Sequence, residues 1–150
     1  MLLSPTSDWG RTHDNGSPTS SAKVNRNSDY VNEIMKNGYV GRCLVGNLPQ
    51  GELETNAWLS PSSLGLKTTK GLFKNFPPTL INCGGAEQGR DDKRTLRERM
   101  VEDCGEEMVT YFEYPDAPHD FVMIVFFEPE RTQALDYIHE WLKKITSESV

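Results

Sequence analysis

Two short β-rich segments separated by one helical stretch limit what this 150-residue chain can fold into. Thr79-Leu80-Ile81-Asn82-Cys83 is a short run bounded by Pro77-Pro78 and Gly84-Gly85, which suits a buried strand. Met108 to Tyr114, rich in β-branched and aromatic residues, reads as a second strand. Between them, from about Asp91 to Cys104, Leu96, Met100 and Cys104 recur at helical spacing, with Gly105 as C-cap. Pro115 to Asp120 is a loop. Glu128 to Ile145 then reads as a helix with Leu135, Ile138, Leu142 and Ile145 on one face. A βαβα order predicts an α/β fold with parallel strands and a right-handed crossover. Both strands then end on one sheet edge, where open α/β sheets bind ligands.

The first half has a different character. Residues 4–29 are rich in Ser, Thr, Asn, Asp, Gly and Pro and read as a long loop with few apolar anchors, the least ordered part of the chain. Ser28 can cap a helix starting near Asp29, with Val31, Ile34 and Met35 on one face and Gly38 at its end. A short helix follows from Tyr39 to Val45, stopped by Gly46, and residues 46–76 return to loop. The length fits one domain. Within it, residues 77–146 form a βαβα unit and residues 4–76 a loop-rich segment with short helices, suited to covering a pocket.

Charge and cysteine usage exclude several functions. The net charge is −6. Residues 1–75 carry 8 basic and 6 acidic side chains, whereas residues 76–150 carry 8 and 16, which repels phosphate. Nucleic acid is therefore a poor partner. The longest apolar run, Phe121 to Phe127, is too short to cross a bilayer and reads as core. The start, Met1-Leu2-Leu3-Ser4-Pro5, lacks the features of a secretion signal. Cys43, Cys83 and Cys104 fit neither a disulfide framework nor a zinc site. Three reduced thiols in a cytoplasmic protein are expected. His13, in a polar loop, and His139, on the last helix, have no ligand-spaced partner, so no metal is expected. Glu102, Asp103, Glu106 and Glu107 read as a solvated helix end.

The shared edge carries the chemistry. The first loop holds Glu87 and, farther on, Asp91; the second holds His119, Asp120 and Phe121. Adjacent parallel strands thus bring a carboxylate and a histidine together. A carboxylate on Nδ1 fixes a histidine's tautomer and stabilises its imidazolium, which suits the acid and base of a hydrolase triad. Residue types alone also allow a loop histidine that only caps or faces solvent. Trp9, Tyr30, Tyr39 and Trp58 can line a pocket or simply pack.

Several motifs, taken in order, carry a resemblance. They are Leu3-Ser4-Pro5, Asn56 to Pro61, Ile81 to Glu87, Arg94 to Arg97 and Tyr111 to Phe121. Together they resemble the C-terminal part of α/β-hydrolases of the hormone-sensitive-lipase type, also called alpha/beta hydrolase fold-3. That likeness implies a carboxylic-ester hydrolase with a Ser-His-acid triad, a small-molecule ester substrate and no cofactor. Glu87 takes the acid position, with Asp91, four residues on, as the alternative acid, and His119 is the base. Phe121 and, more weakly, Trp58 are implied near the substrate.

The sequence departs from the family pattern in three ways. Glu87 stands where Asp is commoner. Asp120 replaces the Gly that follows the histidine. No serine has Gly at both −2 and +2, and no His-Gly-Gly occurs. The nucleophile and oxyanion hole need those motifs. In the family they precede the Leu-Ser-Pro strand end, so the chain reads as the back half of an enzyme, beginning at about the sixth strand of eight and inactive alone. The alternative is a truncated, non-catalytic remnant or an interaction protein.

Overall fold

A computed structural model describes residues 1–31 and 37–147. Its centre is β2 (Thr79–Gly84), buried along its whole length. β2 pairs in parallel with β1 (Leu2–Leu3) on one side and β3 (Val109–Tyr114) on the other. Leu2 lies opposite Ile81, and the β2–β3 register runs from Thr79 with Val109 to Gly84 with Tyr114. All three strands end on one edge. With both faces covered, β2 buries every side chain, Thr79 and Asn82 included, instead of alternating between core and solvent.

Helices cover both sheet faces. Before β2 come α1 (Ser21–Val24), α2 (Tyr39–Val45) and α3 (Glu52–Thr55). The long helix α4 (Arg90–Cys104) crosses from β2 to β3, and α5 (Glu130–Ser147) closes the chain. Successive side chains of a strand face opposite ways. Val109 and Tyr111 therefore join Ile81, Leu96, Met100 and Phe73 in one cluster, against α4. Phe112 and Tyr114 join Ala117, Phe121, Val122 and Ala134 in the other, against α5.

The βαβα unit, the parallel pairing and the Tyr39–Val45 helix match the sequence reading within two residues. Other segments do not. The run Phe121–Phe127 is not all core. Phe121 and Val122 are buried, but Met123, Val125 and Phe126 stand in solvent, because a 3₁₀ turn over Phe121–Met123 replaces a strand or helix that would keep them facing inward. On α5, Ala134 and Ile138 are the buried positions, while Leu135 and Leu142 are 39% exposed. Residues 29–31 are not helical, and Ser28 Oγ donates to Asn25 O and Ala86 O. Residues 32–36 of the helix expected from Asp29, Ile34 and Met35 among them, lie outside the described residues. Asp103 is not merely solvated, since it accepts the Gly71 and Phe73 N–H groups.

Residues 4–29 are anchored by polar groups rather than apolar ones. Ser4, Ser7, Asp8, Ser20, Ser21 and Asp29 are all buried. Asp92 Oδ2 accepts Ser7 N–H at 3.3 Å, Asp91 Oδ2 accepts Ser21 N–H at 2.7 Å, and Asn25 Nδ2 donates to Gly85 O and Glu87 O. The segment therefore wraps the start of α4.

Gly84 and Gly85 let the loop after β3 come close. A Cβ on Gly84 would collide with Ala117 O, and one on Gly85 with Pro115 O. Gly84→Ala should therefore displace the loop that carries His119, and overpacking of this kind costs about 2 kcal/mol. The urea midpoint should fall accordingly. An unchanged midpoint would mean that the loop yields freely.

Candidate active site

Glu87 is wholly buried one turn beyond β2, where its N–H donates to Gly84 O. Both carboxylate oxygens are in use. Oε1 accepts Gly84 N–H at 2.5 Å and Ser4 Oγ–H at 2.8 Å. Oε2 lies 2.9 Å from His119 Nδ1 and 3.1 Å from Lys93 Nζ. Burial pushes the carboxyl up. The His119 hydrogen bond, the Lys93 charge and the Gly84 N–H outweigh it and hold the group at about 2.

His119 sits in the loop after β3. Burial draws the imidazole down, but the Glu87 hydrogen bond and the charges of Glu87 and Asp120 leave it above its ordinary value of 6.5. Nε2 lies 3.5 Å from Asp120 Oδ2, and the ring meets Tyr30 edge-on at 6.2 Å. Asp120 has a φ of 52°, a left-handed conformation that Gly adopts freely and Asp tolerates better than most residues. This is the physical reason that Asp can stand where Gly is expected. Asp120 N–H also donates to Ser4 Oγ at 3.1 Å, so Ser4 links the residue after His119 to Glu87.

Lys93, on the first turns of α4, was not singled out by sequence reasoning. It is 2% exposed. Nζ reaches Glu87, Asp92 Oδ1 at 3.5 Å and Gly89 O at 3.0 Å. Burial lowers the ammonium, yet Asp92 and Glu87 together raise it above its ordinary value. His13, read from the sequence only as a residue of a polar loop, has partners that the sequence does not reveal. Its Nδ1 lies 2.7 Å from Asp8 Oδ2 and its Nε2 2.9 Å from Thr95 Oγ1, which pins the N-terminal loop to α4.

His119 opens on a cavity of about 320 Å³, lined among others by Trp9, Arg11, His13, Tyr30, Val31, Val40, Gln88 and Asp120. Trp9 and Tyr30 thus face it, as two of the four suggested aromatics. Tyr39 and Trp58 do not line it; Trp58 is 95% exposed. Phe121 is fully buried, packed between Tyr114 and Phe127, and does not line it either. Both were expected near a substrate. Trp58 sits on a turn facing outward, and Phe121 turns into the α5 core. Asp91, the alternative acid, is engaged elsewhere, by Ser21 N–H and Arg90. The three cysteines are free thiols, and Cys83 Sγ contacts Tyr111 Oη at 3.1 Å. Among the described residues no cluster could hold a metal ion, and no helix is long and apolar enough to cross a membrane.

No protein-family model and no curated protein matches the sequence. Solved structures do. An esterase/lipase from an uncultured bacterium is 24% identical, with a TM-score of 0.67 over 95% of this chain. EstE5, from a crystal soaked with p-nitrophenyl butyrate, is 22% identical with a TM-score of 0.69 over 95%. A mutant of the esterase E40 is 27% identical with a TM-score of 0.66 over 95%. The chain spans 41% of the length of each. The matched part is the C-terminal portion of the α/β-hydrolase fold.

The ionised Glu87 should leave a mark on acid stability. A carboxyl that falls from 4.5 to about 2 on folding stabilises the protein above its unfolded value and loses that contribution as pH falls toward 2. His119, raised on folding, contributes in the opposite sense: fully below 6.5, and less as pH rises through its elevated value. The gap in urea midpoint between the wild type and Glu87→Gln should therefore narrow between about pH 5 and about pH 2. Parallel acid limbs would show that Glu87 is not ionised inside the fold.

Proposed function

We propose that this C-terminal portion of an α/β-hydrolase fold supplies the acid and base of a Ser-His-acid carboxylic-ester hydrolase. The observation that carries the reading is the 2.9 Å contact between buried Glu87 Oε2 and His119 Nδ1 at the carboxyl edge of a parallel sheet. The neighbouring structures described as esterases and lipases favour an ester substrate.

In this reading Glu87 fixes the tautomer with a proton on Nδ1, which leaves Nε2 as the base. Nε2 takes the proton of a serine hydroxyl as that oxygen attacks the ester carbonyl. The imidazolium then gives the proton to the departing alcohol. Water repeats the sequence on the acyl-enzyme. Asp120, whose Oδ2 lies 3.5 Å from Nε2, stabilises the imidazolium between the two transfers. The cavity lined by Trp9, Tyr30, Val31 and Val40 provides the apolar wall for part of the ester.

The serine and its oxyanion donors are not found as motifs among these 150 residues. The serine route needs both. The 150-residue chain alone should therefore not label with a fluorophosphonate probe, nor hydrolyse short p-nitrophenyl esters above an albumin control. Stoichiometric labelling of one serine, lost in His119→Ala, would mean that a nucleophile lies within the segment. Reading the coding sequence upstream of Met1 for in-frame His-Gly-Gly and G-x-S-x-G is the direct check on where the nucleophile lies.

In a polypeptide that joins this segment to such a nucleophile, His119→Ala should remove nearly all turnover. Glu87→Gln should remove less, by on the order of a hundredfold, because the base itself remains. Equal losses would assign Glu87 more than an orienting role. Full activity of either variant would refute the reading.

A further inference from the structure

We infer that Lys93 is a positioning residue for the acid–base pair: its buried ammonium shares Glu87 Oε2 with His119 and offsets the carboxylate's charge, so that the imidazole can release its proton. The inference rests on the reading of Glu87 and His119 as acid and base.

The ammonium has three donors and three acceptors around it. These are Glu87 Oε2 at 3.1 Å, Asp92 Oδ1 at 3.5 Å and Gly89 O at 3.0 Å. The slot is shaped to it. A Cβ on Gly89 would come within 2.7 Å of Nζ, so this glycine leaves the space that Nζ fills. A lysine placed only for solubility would reach solvent along its flexible stem. Lys93 instead ends at the acid. Asp92, itself 5% exposed, holds the other side of the ammonium, and its second oxygen accepts Ser7 N–H.

The groups facing His119 come from four places. Glu87 approaches from the turn after β2, Asp120 from its own loop, Tyr30 from the N-terminal segment and Lys93 from α4. Glu87 and Asp120 both favour the imidazolium, whereas Lys93 disfavours it. Between two carboxylates and no cation, the balance would tilt further toward the imidazolium. A shuttle must give the proton back as readily as it takes it. Oε2 thus has two partners, His119 Nδ1 at 2.9 Å and the Lys93 ammonium at 3.1 Å. The acid is thereby held both ionised and aimed.

The test is a histidine NMR titration of the 150-residue chain, with the His119 ring signal assigned by its loss in His119→Gln. Glu87→Gln should lower the His119 midpoint, and Lys93→Met should raise it. If Glu87→Gln leaves the midpoint where it was, the acid–base reading itself fails. If Glu87→Gln lowers it while Lys93→Met leaves it unchanged or lowers it, that reading survives and Lys93 has no such role. Lys93→Met strands two buried carboxylates and can cost the fold. The comparison is therefore repeated between Asp92→Asn and Asp92→Asn with Lys93→Met, where one of those charges is gone. A higher midpoint in the double variant supports the inference, and an equal or lower one overturns it. Loss of fold in both Lys93 variants would assign the residue to stability alone and overturn it too.

Discussion

A single buried carboxylate organises this structure. Transferring a charge into the interior costs several kcal/mol after relaxation, unless donors replace the lost water. Glu87 has four: Gly84 N–H, Ser4 Oγ–H, His119 Nδ1 and Lys93 Nζ. They come from the end of β2, the residue after β1, the loop after β3 and the first turns of α4. The group that is costliest to bury is therefore also the one that fixes the relative positions of three strand ends and a helix. Breaking a buried pair by removing one partner typically costs about 3–5 kcal/mol, because the other partner is left uncompensated. The contacts that hold the strand ends together and the contact to His119 share this penalty, since one carboxylate makes them all.

The first half of the chain is held by the same kind of force. Ser60, Ser62 and Ser63 are as buried as any core residue. Ser62 N–H donates to Ser7 O, Trp9 N–H to Ser60 Oγ, and Arg99 to Pro61 O and Ser63 O. Backbone groups that a loop would leave to water are satisfied by side chains distant in sequence. This explains how a segment with few apolar anchors wraps the start of α4 and supplies one wall of the cavity.

The pattern of what could be read in advance follows from these forces. Hydrophobic periodicity is local, so β2, α4, β3 and α5 were legible within two residues. Glu87 and His119 were legible because each follows a strand, and parallel topology brings such positions together. The polar anchors of residues 4–29 were not, since Ser7 and Asp92, or Ser21 and Asp91, are joined only by the finished fold. Lys93 sits within Arg90-Asp91-Asp92-Lys93-Arg94, where local sequence does not distinguish a buried charge from an exposed one. Only the turn after β2, which folds the start of α4 over Glu87, buries two of those charges. Phe121 to Phe127 misled in the opposite direction. An apolar run predicts burial only if the backbone keeps it facing inward, and a 3₁₀ turn does not.

The two substitutions at the site, Glu for Asp and Asp for Gly, now read as parts of one arrangement. The longer glutamate side chain bends back to Gly84 with one oxygen and still reaches His119 with the other. Oε1 thus answers to the backbone and to Ser4, and Oε2 to the ring and the ammonium. Asp120, in its left-handed conformation, points its N–H at Ser4 Oγ, which in turn donates to Oε1. His119 is therefore held twice: through its ring by Oε2, and through the following peptide by Ser4 and Oε1. A proton shuttle must move its proton without moving its ring. In the proposed role of base, His119 would meet that requirement by being anchored through both its side chain and the adjoining backbone, with a second carboxylate beside Nε2. The Lys93 ammonium, 3.1 Å from Oε2, places a cation on the other side of the Glu87 carboxylate.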